Sequence, residues 1–159
     1  MRIREIKEDN RTDVEAFFSQ QWGSPLMVVA SGVYDCSELD GYVALNEAGD
    51  IIGLLTFAYR NGQMEVMSLD SVKEGVGVGT ALLETVENGA REKGIKAIHL
   101  VTTNDNVHAL AFYQRRGYVL HKLYKEAVKK ARLLKPEIPH VAENGIPIRD
   151  EIELIKSLV

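Results

Sequence analysis

Disulfides, long apolar segments and an excess of basic residues are all missing from this 159-residue sequence. The single cysteine, Cys36, excludes an internal disulfide and a cysteine-based zinc site, and suits a reducing compartment. No apolar run approaches the roughly 20 residues of a membrane-spanning helix. The formal net charge of −4 argues against broad nucleic-acid binding. These absences predict a cytoplasmic protein that binds neither membranes nor nucleic acid, with Cys36 as a packing residue.

The composition is that of an ordinary globular protein. Hydrophobic residues make up 45% of the chain and charged residues 26%. This length can bury a hydrophobic core without a disulfide or a structural metal. The sequence therefore predicts one domain spanning residues 1–159, with no metal site.

The first half of the chain predicts a strand, a helix and an antiparallel meander. Residues 1–6 alternate as a strand, and Thr12 begins a capping box that opens a helix ending near Gly23. Residues 24–39 are interpreted as a short helix or a loop. Three strands follow, with Asn61-Gly62 as the hairpin turn between the last two: Gly41–Leu45, Ile51–Tyr59 and Gln63–Ser71.

The second half predicts alternating helices and strands, with glycines or asparagines at the helix ends. A helix runs to about Lys93 and is closed by Gly94, and a later helix is capped by Asn106 and closed by Gly117. The remaining elements are predicted from the periodicity of apolar residues. The predicted elements are a strand Ala97–Thr102, a helix Val107–Arg116, a strand Tyr118–Tyr124, a helix Lys125–Leu134 and a final strand Ile148–Leu158.

A glycine-rich segment, Lys73–Thr80, precedes the first of these helices, and we refer to it as the glycine loop. Its three glycines stand on alternate positions, so side chains do not shield the backbone N–H groups from an anion. The positive end of the following helix points at the same place. The segment therefore predicts a phosphate-binding loop, although glycine spacing of this kind also occurs in purely structural turns.

Two nucleotide-binding interpretations fit the glycine loop poorly. A nucleotide P-loop needs a lysine directly before its Ser or Thr, and Thr80 follows a glycine. A dinucleotide fingerprint needs glycine or alanine where Thr80 stands, and an acidic residue where the next strand ends in Thr102. A mononucleotide-binding domain stays open as an alternative.

A second group of residues lies about 30 positions further on. Asn106 is followed at helical spacing by Ala109 and Tyr113, and then by Gly117 and Tyr118. Each residue alone has an ordinary interpretation, Asn106 as a helix cap and Tyr113 as a core aromatic. If the two strand–helix units are adjacent, both residues lie near the end of the sheet where the glycine loop opens.

Together these segments resemble the GNAT superfamily of acyl-CoA-dependent N-acetyltransferases. The family's Asn-x-x-Ala-x-x-x-Tyr-x-x-x-Gly-Phe/Tyr pattern matches the second group residue by residue, and its Arg/Gln-x-x-Gly-x-Gly/Ala motif falls on Glu74, Gly77 and Gly79. Glu74 departs from that motif. Because a carboxylate beside a pyrophosphate is electrostatically unfavourable, the departure implies weaker CoA binding.

The resemblance implies an α/β (α+β) fold of the GNAT type. It implies a mixed, mostly antiparallel sheet of six to seven strands flanked by helices and splayed between the fourth and fifth strands. It also implies acetyl-CoA as co-substrate, a small-molecule or peptide amine as acceptor, and direct transfer between them. A homodimer is compatible with the family's habits.

The same resemblance assigns roles to individual residues. Tyr113 would protonate the leaving CoA thiolate, and Glu65 is the favoured base for the amine, with Asp70 second. His99 and His108 are interpreted as structural. The residues expected to bind the cofactor are Ser68, Leu69, Gly75, Val76, Gly77, Val78, Gly79, Thr80 and Asn106.

A rival function comes from a different class. The chain could be a non-catalytic acyl-CoA-binding sensor or interaction module that retains the glycine loop without the chemistry. Tyr113 favours the enzyme, because a binding module has no need of a proton donor at the thiolate.

Overall fold

The structure is a computed structural model that describes residues 1–29 and 32–159. Its described part holds four α-helices and nine strands. The helices are α1 Arg11–Trp22, α2 Val78–Glu92, α3 Val107–Arg115 and α4 Ala127–Leu134. The strands are β1 Arg2–Glu5, β2 Leu26–Val29, β3 Gly32–Asp35, β4 Asp40–Leu45, β5 Ile51–Arg60, β6 Gln63–Ser71, β7 Ala97–Thr103, β8 Val119–Tyr124 and β9 Glu151–Ser157.

Seven strands form the main sheet, in the order β1-β4-β5-β6-β7-β9-β8. The α/β fold predicted from the sequence is thereby confirmed, and so is the strand assignment of the final segment. The chain forms two compact units, the first with residues 1–26, 35–98 and 158–159, the second with residues 27–34 and 99–157. The splay beside β6 and the single domain stay predictions.

The first unit is an antiparallel meander with a helix on each face. The pairs β1–β4, β4–β5 and β5–β6 are all antiparallel. On one face α1 buries Val14 and Phe18, and on the other α2 buries Leu82 and Val86, as its apolar spacing predicts. Cys36 is also fully buried, as expected of a packing residue.

A β-bulge in β6 decides which of its side chains share a face. Thr56 on β5 lies opposite Ser68, but the next residue, Phe57, lies opposite Val66, so Met67 is an extra residue on β6. Side chains alternate along a strand, and one extra residue reverses that alternation. The bulge therefore puts Glu65 and Ser68 on one face despite their odd spacing.

The second unit pairs β8 with β9 antiparallel, from Val119 opposite Ile155 to Tyr124 opposite Glu151. Tyr118 and Leu154 are buried in its core. The side-chain oxygen of Asn104 accepts hydrogen bonds from the N–H groups of residues 149 and 150, at 3.0 and 2.9 Å. The long connection that precedes β9 is thus fastened to the end of β7.

Two local predictions are wrong. Helix α1 begins at Arg11 rather than after Thr12, because Asn10 Oδ1 accepts a hydrogen bond from Lys7 N–H at 2.8 Å and closes the preceding turn. In the segment predicted as a short helix or loop, β2 and β3 form a two-stranded sheet, followed by a 3-10 turn at Cys36–Glu38. β-branched residues such as Val28 and Val33 favour extended backbone there. Ala30, the end of the apolar run, lies outside the described residues.

The turn residues predicted from the sequence are confirmed. Asn61 and Gly62 both have positive φ, of 54° and 75°, which matches a type I′ hairpin between β5 and β6. Gly23, Gly94 and Gly117 end their helices with φ between 73° and 92°. None of the helices in the described part of the chain has the length and apolar character needed to cross a membrane.

Candidate active site

The glycine loop is an exposed turn that leads straight into α2. Gly75 and Gly77 adopt φ of 78° and 82°, a left-handed conformation that other residues rarely take. Residues 72–77 are all exposed. Two of the three glycines are thus required by the backbone conformation, and the loop is open to an anion.

Helix α2 begins inside the predicted phosphate-binding segment, at Val78. Its first intrahelical bond runs from Ala81 N–H to the Gly77 carbonyl, at 3.0 Å. The N–H groups before that bond are the ones a helix leaves for a ligand. The Val78 side chain is buried, so this residue can contact a cofactor only through its backbone.

A row of polar side chains lies on the face of β5 and β6 that α1 covers, which we call the α1 face. Pairing across the two strands places Thr56, Arg60, Glu65, Ser68 and Asp70 on this face. Glu65 is only 5% exposed and forms an ion pair with Arg60 at 2.5 Å. The hydroxyls of Thr56 and Ser68 share a hydrogen bond of 2.6 Å. Because its hydroxyl is already hydrogen-bonded to Thr56, Ser68 would contact a cofactor through its backbone.

Asp70 is held at the same face by α1. The Trp22 indole N–H donates to Asp70 Oδ1 at 3.1 Å, while Oδ2 is buried and has no hydrogen-bond partner among the described residues. Burial raises the pKa of Asp70, and the hydrogen bond from Trp22 lowers it to a smaller extent. The carboxyl group therefore holds a proton at higher pH than an ordinary aspartate does.

Asn106 and Tyr113 lie on α3, in the second unit. Asn106 caps the helix, its Oδ1 accepting from Ala109 N–H at 3.1 Å. A hydrogen bond to pantetheine would therefore use its NH₂ group. The two residues are seven apart, so they lie on the same side of α3, about 10 Å apart along its axis. The half-buried Tyr113 ring packs edge-on against Tyr118, with centroids 5.8 Å apart.

A family model described as the acetyltransferase (GNAT) family matches residues 5–118. This match spans more than half of the chain and contains the glycine loop, the α1 face and the Asn106–Tyr118 pattern. The chain belongs to the GNAT family. Membership supports acetyl-CoA-dependent acetyl transfer as the chemistry of this fold.

Two kinds of relative accompany the family match. The uncharacterized protein YxbD of Bacillus subtilis strain 168 is 57% identical over 145 residues, which is 91% of each chain. The structure of an IAA acetyltransferase from Bacillus cereus superposes with a TM-score of 0.70 at 22% identity, over 98% of each chain. A GNAT family acetyltransferase from Elizabethkingia anophelis with acetyl-CoA bound gives 0.68 at 20%, over 98% of this chain and 97% of that one. At these identities the solved structures show a shared fold.

Within this GNAT chain, the predicted site residues fall into two sets. The first unit brings together the glycine loop and strand β6, which carries Glu65, Ser68 and Leu69. The second unit holds Asn106 and Tyr113 on α3. The roles assigned to these residues stay predictions.

The sequence does not show that Asp70 shares a face with Glu65, and the reason is geometric. Residues 65 and 70 are an odd number of positions apart, which puts them on opposite faces of a regular strand. Only the bulge at Met67 brings them to the same face. No local sequence signal marks that bulge. The hydrogen bond between Trp22 and the Asp70 carboxyl group is likewise visible only in the structure.

His99 belongs to a polar cluster with Glu153 and Tyr124 that its position in the middle of a strand does not indicate. Its Nδ1 lies 2.8 Å from Glu153 Oε1, and the Tyr124 hydroxyl donates to Glu153 Oε2 at 2.8 Å. Burial opposes ionisation of Glu153, but the hydrogen bonds from His99 and Tyr124 outweigh it and lower its pKa. The cluster joins β7, β8 and β9, in keeping with the structural role expected for His99.

Proposed function

We propose that this chain is an acetyl-CoA-dependent N-acetyltransferase that moves the acetyl group directly to a primary amine of a small molecule or peptide. The main support is the left-handed glycine loop at the start of α2, within a region matched by the GNAT family model. An anion-binding loop at a helix N-terminus suits the pyrophosphate of CoA. The proposal treats residues 1–159 as one functional domain.

The cofactor would be held mainly by backbone groups. N–H groups from Gly75 to Thr80 would bind the pyrophosphate, and Ser68 and Leu69 would pair with the pantetheine arm and stabilise the oxyanion. Asn106 would add a hydrogen bond to the same arm. Such contacts need the exposed loop that the structure shows, and they need no metal ion.

The reaction requires two proton transfers. The amine nitrogen bonds to the acetyl carbon as the carbon–sulfur bond breaks, so the amine loses a proton and the thiolate gains one. Tyr113 would supply the proton to sulfur, since phenols and thiols both have ordinary pKa values well above neutrality, about 10 and 8.5. Glu65 and Asp70, both on the α1 face, are the candidate bases for the amine.

The assignment of Tyr113 is tested by Tyr113→Phe. We expect kcat with an acceptor amine to fall by about 10²-fold, the usual scale for a lost general acid, while CoA affinity stays the same. Turnover is followed by released thiol, across polyamines, aminoglycosides, amino acids and peptide N-termini. Binding is followed by calorimetry with CoA.

Tyr59→Phe is the matched control, because Tyr59 is exposed and its hydroxyl accepts a surface hydrogen bond from Lys93. This variant is expected to match the wild type in both assays. An unchanged kcat in Tyr113→Phe would show that another group protonates the thiolate.

The non-catalytic sensor is the competing function. It predicts CoA binding by the wild type without thiol release on any amine of the panel. Turnover on a single amine is enough to reject it.

A further inference from the structure

We propose that Asp70 is the base that takes the proton from the acceptor's ammonium group, so that the acceptor amine enters on the α1 face of β6. This inference rests on the proposed function and adds to it both the base and the side from which the acceptor is presented. Three features of the α1 face support it, namely an unpartnered oxygen, a suitable electrostatic environment and the engagement of the rival carboxylate.

The first feature is the unequal pairing of the two Asp70 oxygens. Oδ1 accepts the Trp22 indole N–H at 3.1 Å, and this bond fixes the orientation of the carboxyl group. Oδ2 is buried and has no donor in the described part of the chain. Buried polar atoms are nearly always hydrogen-bonded, so an exception calls for an explanation. An ammonium group supplies the missing donor.

The second feature is the environment of the carboxyl group. Burial raises the pKa of Asp70 and the Trp22 hydrogen bond opposes this only in part. On the neighbouring elements, α1 presents the uncharged Trp22, β5 presents Thr56 and Arg60, and β6 presents Ser68 and Glu65. Arg60 and Glu65 neutralise each other, so burial dominates. A carboxylate whose pKa is shifted toward neutrality is a better base than an ordinary aspartate.

The third feature is that the rival base, Glu65, is already engaged. Its carboxylate is paired with the Arg60 guanidinium, and its side chain is 7% exposed. Protonation of Glu65 would break that pair at a buried position, which is costly. Asp70 has no cationic partner to lose among the described residues.

The proton balance is simple. The ammonium group, R–NH₃⁺, gives one proton to Asp70 Oδ2, and the neutral nitrogen then bonds to the acetyl carbon as the bond to sulfur breaks. The leaving thiolate takes the proton of Tyr113, and Tyr113 regains a proton from solvent. The nitrogen's second proton leaves to solvent as the amide forms. Asp70 returns its proton to solvent once the product has left.

The ionisation of Asp70 can be measured without turnover. Trp22 is the only tryptophan in the chain, so intrinsic fluorescence reports on the group hydrogen-bonded to its indole. We expect the fluorescence of the wild type to titrate at a pH above the ordinary range of aspartate. Asp70→Asn should abolish the transition, and Asp9→Asn, at an exposed aspartate, should retain it.

The catalytic step is tested by the pH dependence of kcat/KM with an amine accepted by the wild type. We expect Asp70→Asn to lower kcat by about 10²-fold and to remove the acidic limb of the profile. Trp22→Phe removes the donor to Oδ1, so its acidic limb should move to higher pH. Glu65→Gln leaves the Arg60 charge uncompensated, so its acidic limb should move to lower pH but remain.

The possible results separate this inference from the proposed function. If the wild type acetylates an amine and Asp70→Asn keeps both its rate and its acidic limb, the inference is wrong and the proposed function stands. Loss of the limb in Glu65→Gln would likewise overturn the inference and assign the base to Glu65. If no amine is acetylated by the wild type, both fail. Circular dichroism of each variant checks that the fold is retained.

Discussion

Glu74 is the one residue of the glycine loop whose charge opposes its proposed ligand. It stands where the GNAT motif has Arg or Gln, it is exposed, and the pyrophosphate of CoA is anionic. Two like charges in contact with water repel weakly, so the expected penalty is small. The backbone N–H groups of the loop do not depend on this side chain.

Replacement of Glu74 by Gln should therefore tighten CoA binding, by about fivefold at most, the scale of one charge–charge contact in water. Calorimetric titration at low and high salt measures the effect, and the difference from the wild type should shrink as salt rises. Glu47→Gln, in the exposed turn between β4 and β5, provides the control for net charge. An equal gain in both variants would mean that only the overall charge matters.

A thermal-shift comparison of CoA with ATP addresses the remaining alternative at the same loop. A ligand that binds the folded state raises the melting temperature, and the shift grows with the logarithm of its concentration divided by its Kd. The proposed function requires the larger shift with CoA. A mononucleotide-binding domain would show the larger shift with ATP.

At the scale of the elements, Gly53 sets how closely α2 approaches the sheet. A Cβ atom at this position would clash with Val78 Cγ1 and would lie 3.2 Å from Leu82 Cδ1, both on α2. The first turn of α2 carries backbone N–H groups that belong to the proposed pyrophosphate site. The lack of a side chain at Gly53 thus determines how close to the sheet the N-terminus of α2 lies.

Gly53→Ala should destabilise the fold by about 1–3 kcal/mol, the usual cost of overpacking, and should also weaken CoA binding. Urea unfolding and calorimetry measure the two effects. Combining Gly53→Ala with Val78→Ala removes the clashing methyl group and should recover part of the stability. If the double-mutant cycle shows additive effects, the two residues are not in contact.

Most elements could be predicted from apolar periodicity and turn residues, because these signals are local. The helix ends at Gly94 and Gly117 and the Asn61-Gly62 hairpin all depend on a few neighbouring residues. The errors occur where a side chain or segment has a choice between alternative partners. The Asn10 side chain accepts from Lys7 N–H rather than from the first turn of α1, and residues 26–29 pair with residues 32–35 as two strands.

The candidate site divides in the same way. The glycine loop, Asn106 and Tyr113 could be selected from spacing alone, because a motif is a local pattern. The pairing of Glu65 with Arg60 and of Asp70 with Trp22 depends on the register of β5 against β6 and on the position of α1. No pattern within β6 itself encodes these partners.

At the scale of the whole molecule, Asp70 links pH to folding stability. Its folded-state pKa is raised, so below the ordinary pKa of aspartate it is protonated in both states and contributes nothing. As pH rises through that value, the unfolded chain ionises first, and the folded state loses relative stability until Asp70 ionises as well. Near neutral pH the native aspartate is therefore destabilising.

Asp70→Asn should accordingly raise the melting temperature at neutral pH and leave it unchanged at strongly acidic pH. For a chain of this length each kcal/mol corresponds to about 2–4 °C. Calorimetric scans of the variant and the wild type at several pH values test this. A variant less stable than the wild type at every pH would show that burial does not control this carboxyl group.

The bulge at Met67 determines which face of the sheet each side chain of β6 occupies. Because Met67 is the residue without a partner, deleting it would leave Ser68 opposite Thr56 and Val66 opposite Phe57, and every other side chain of β6 would keep its face. If Met67 stayed and the strand paired regularly, Asp70 would instead lie opposite Gly53 and face α2, and Leu69 would take its place beside Trp22. The bulge therefore decides which side of the sheet is polar, and homologous chains that are one residue shorter at this point should keep the Trp22–Asp70 pair.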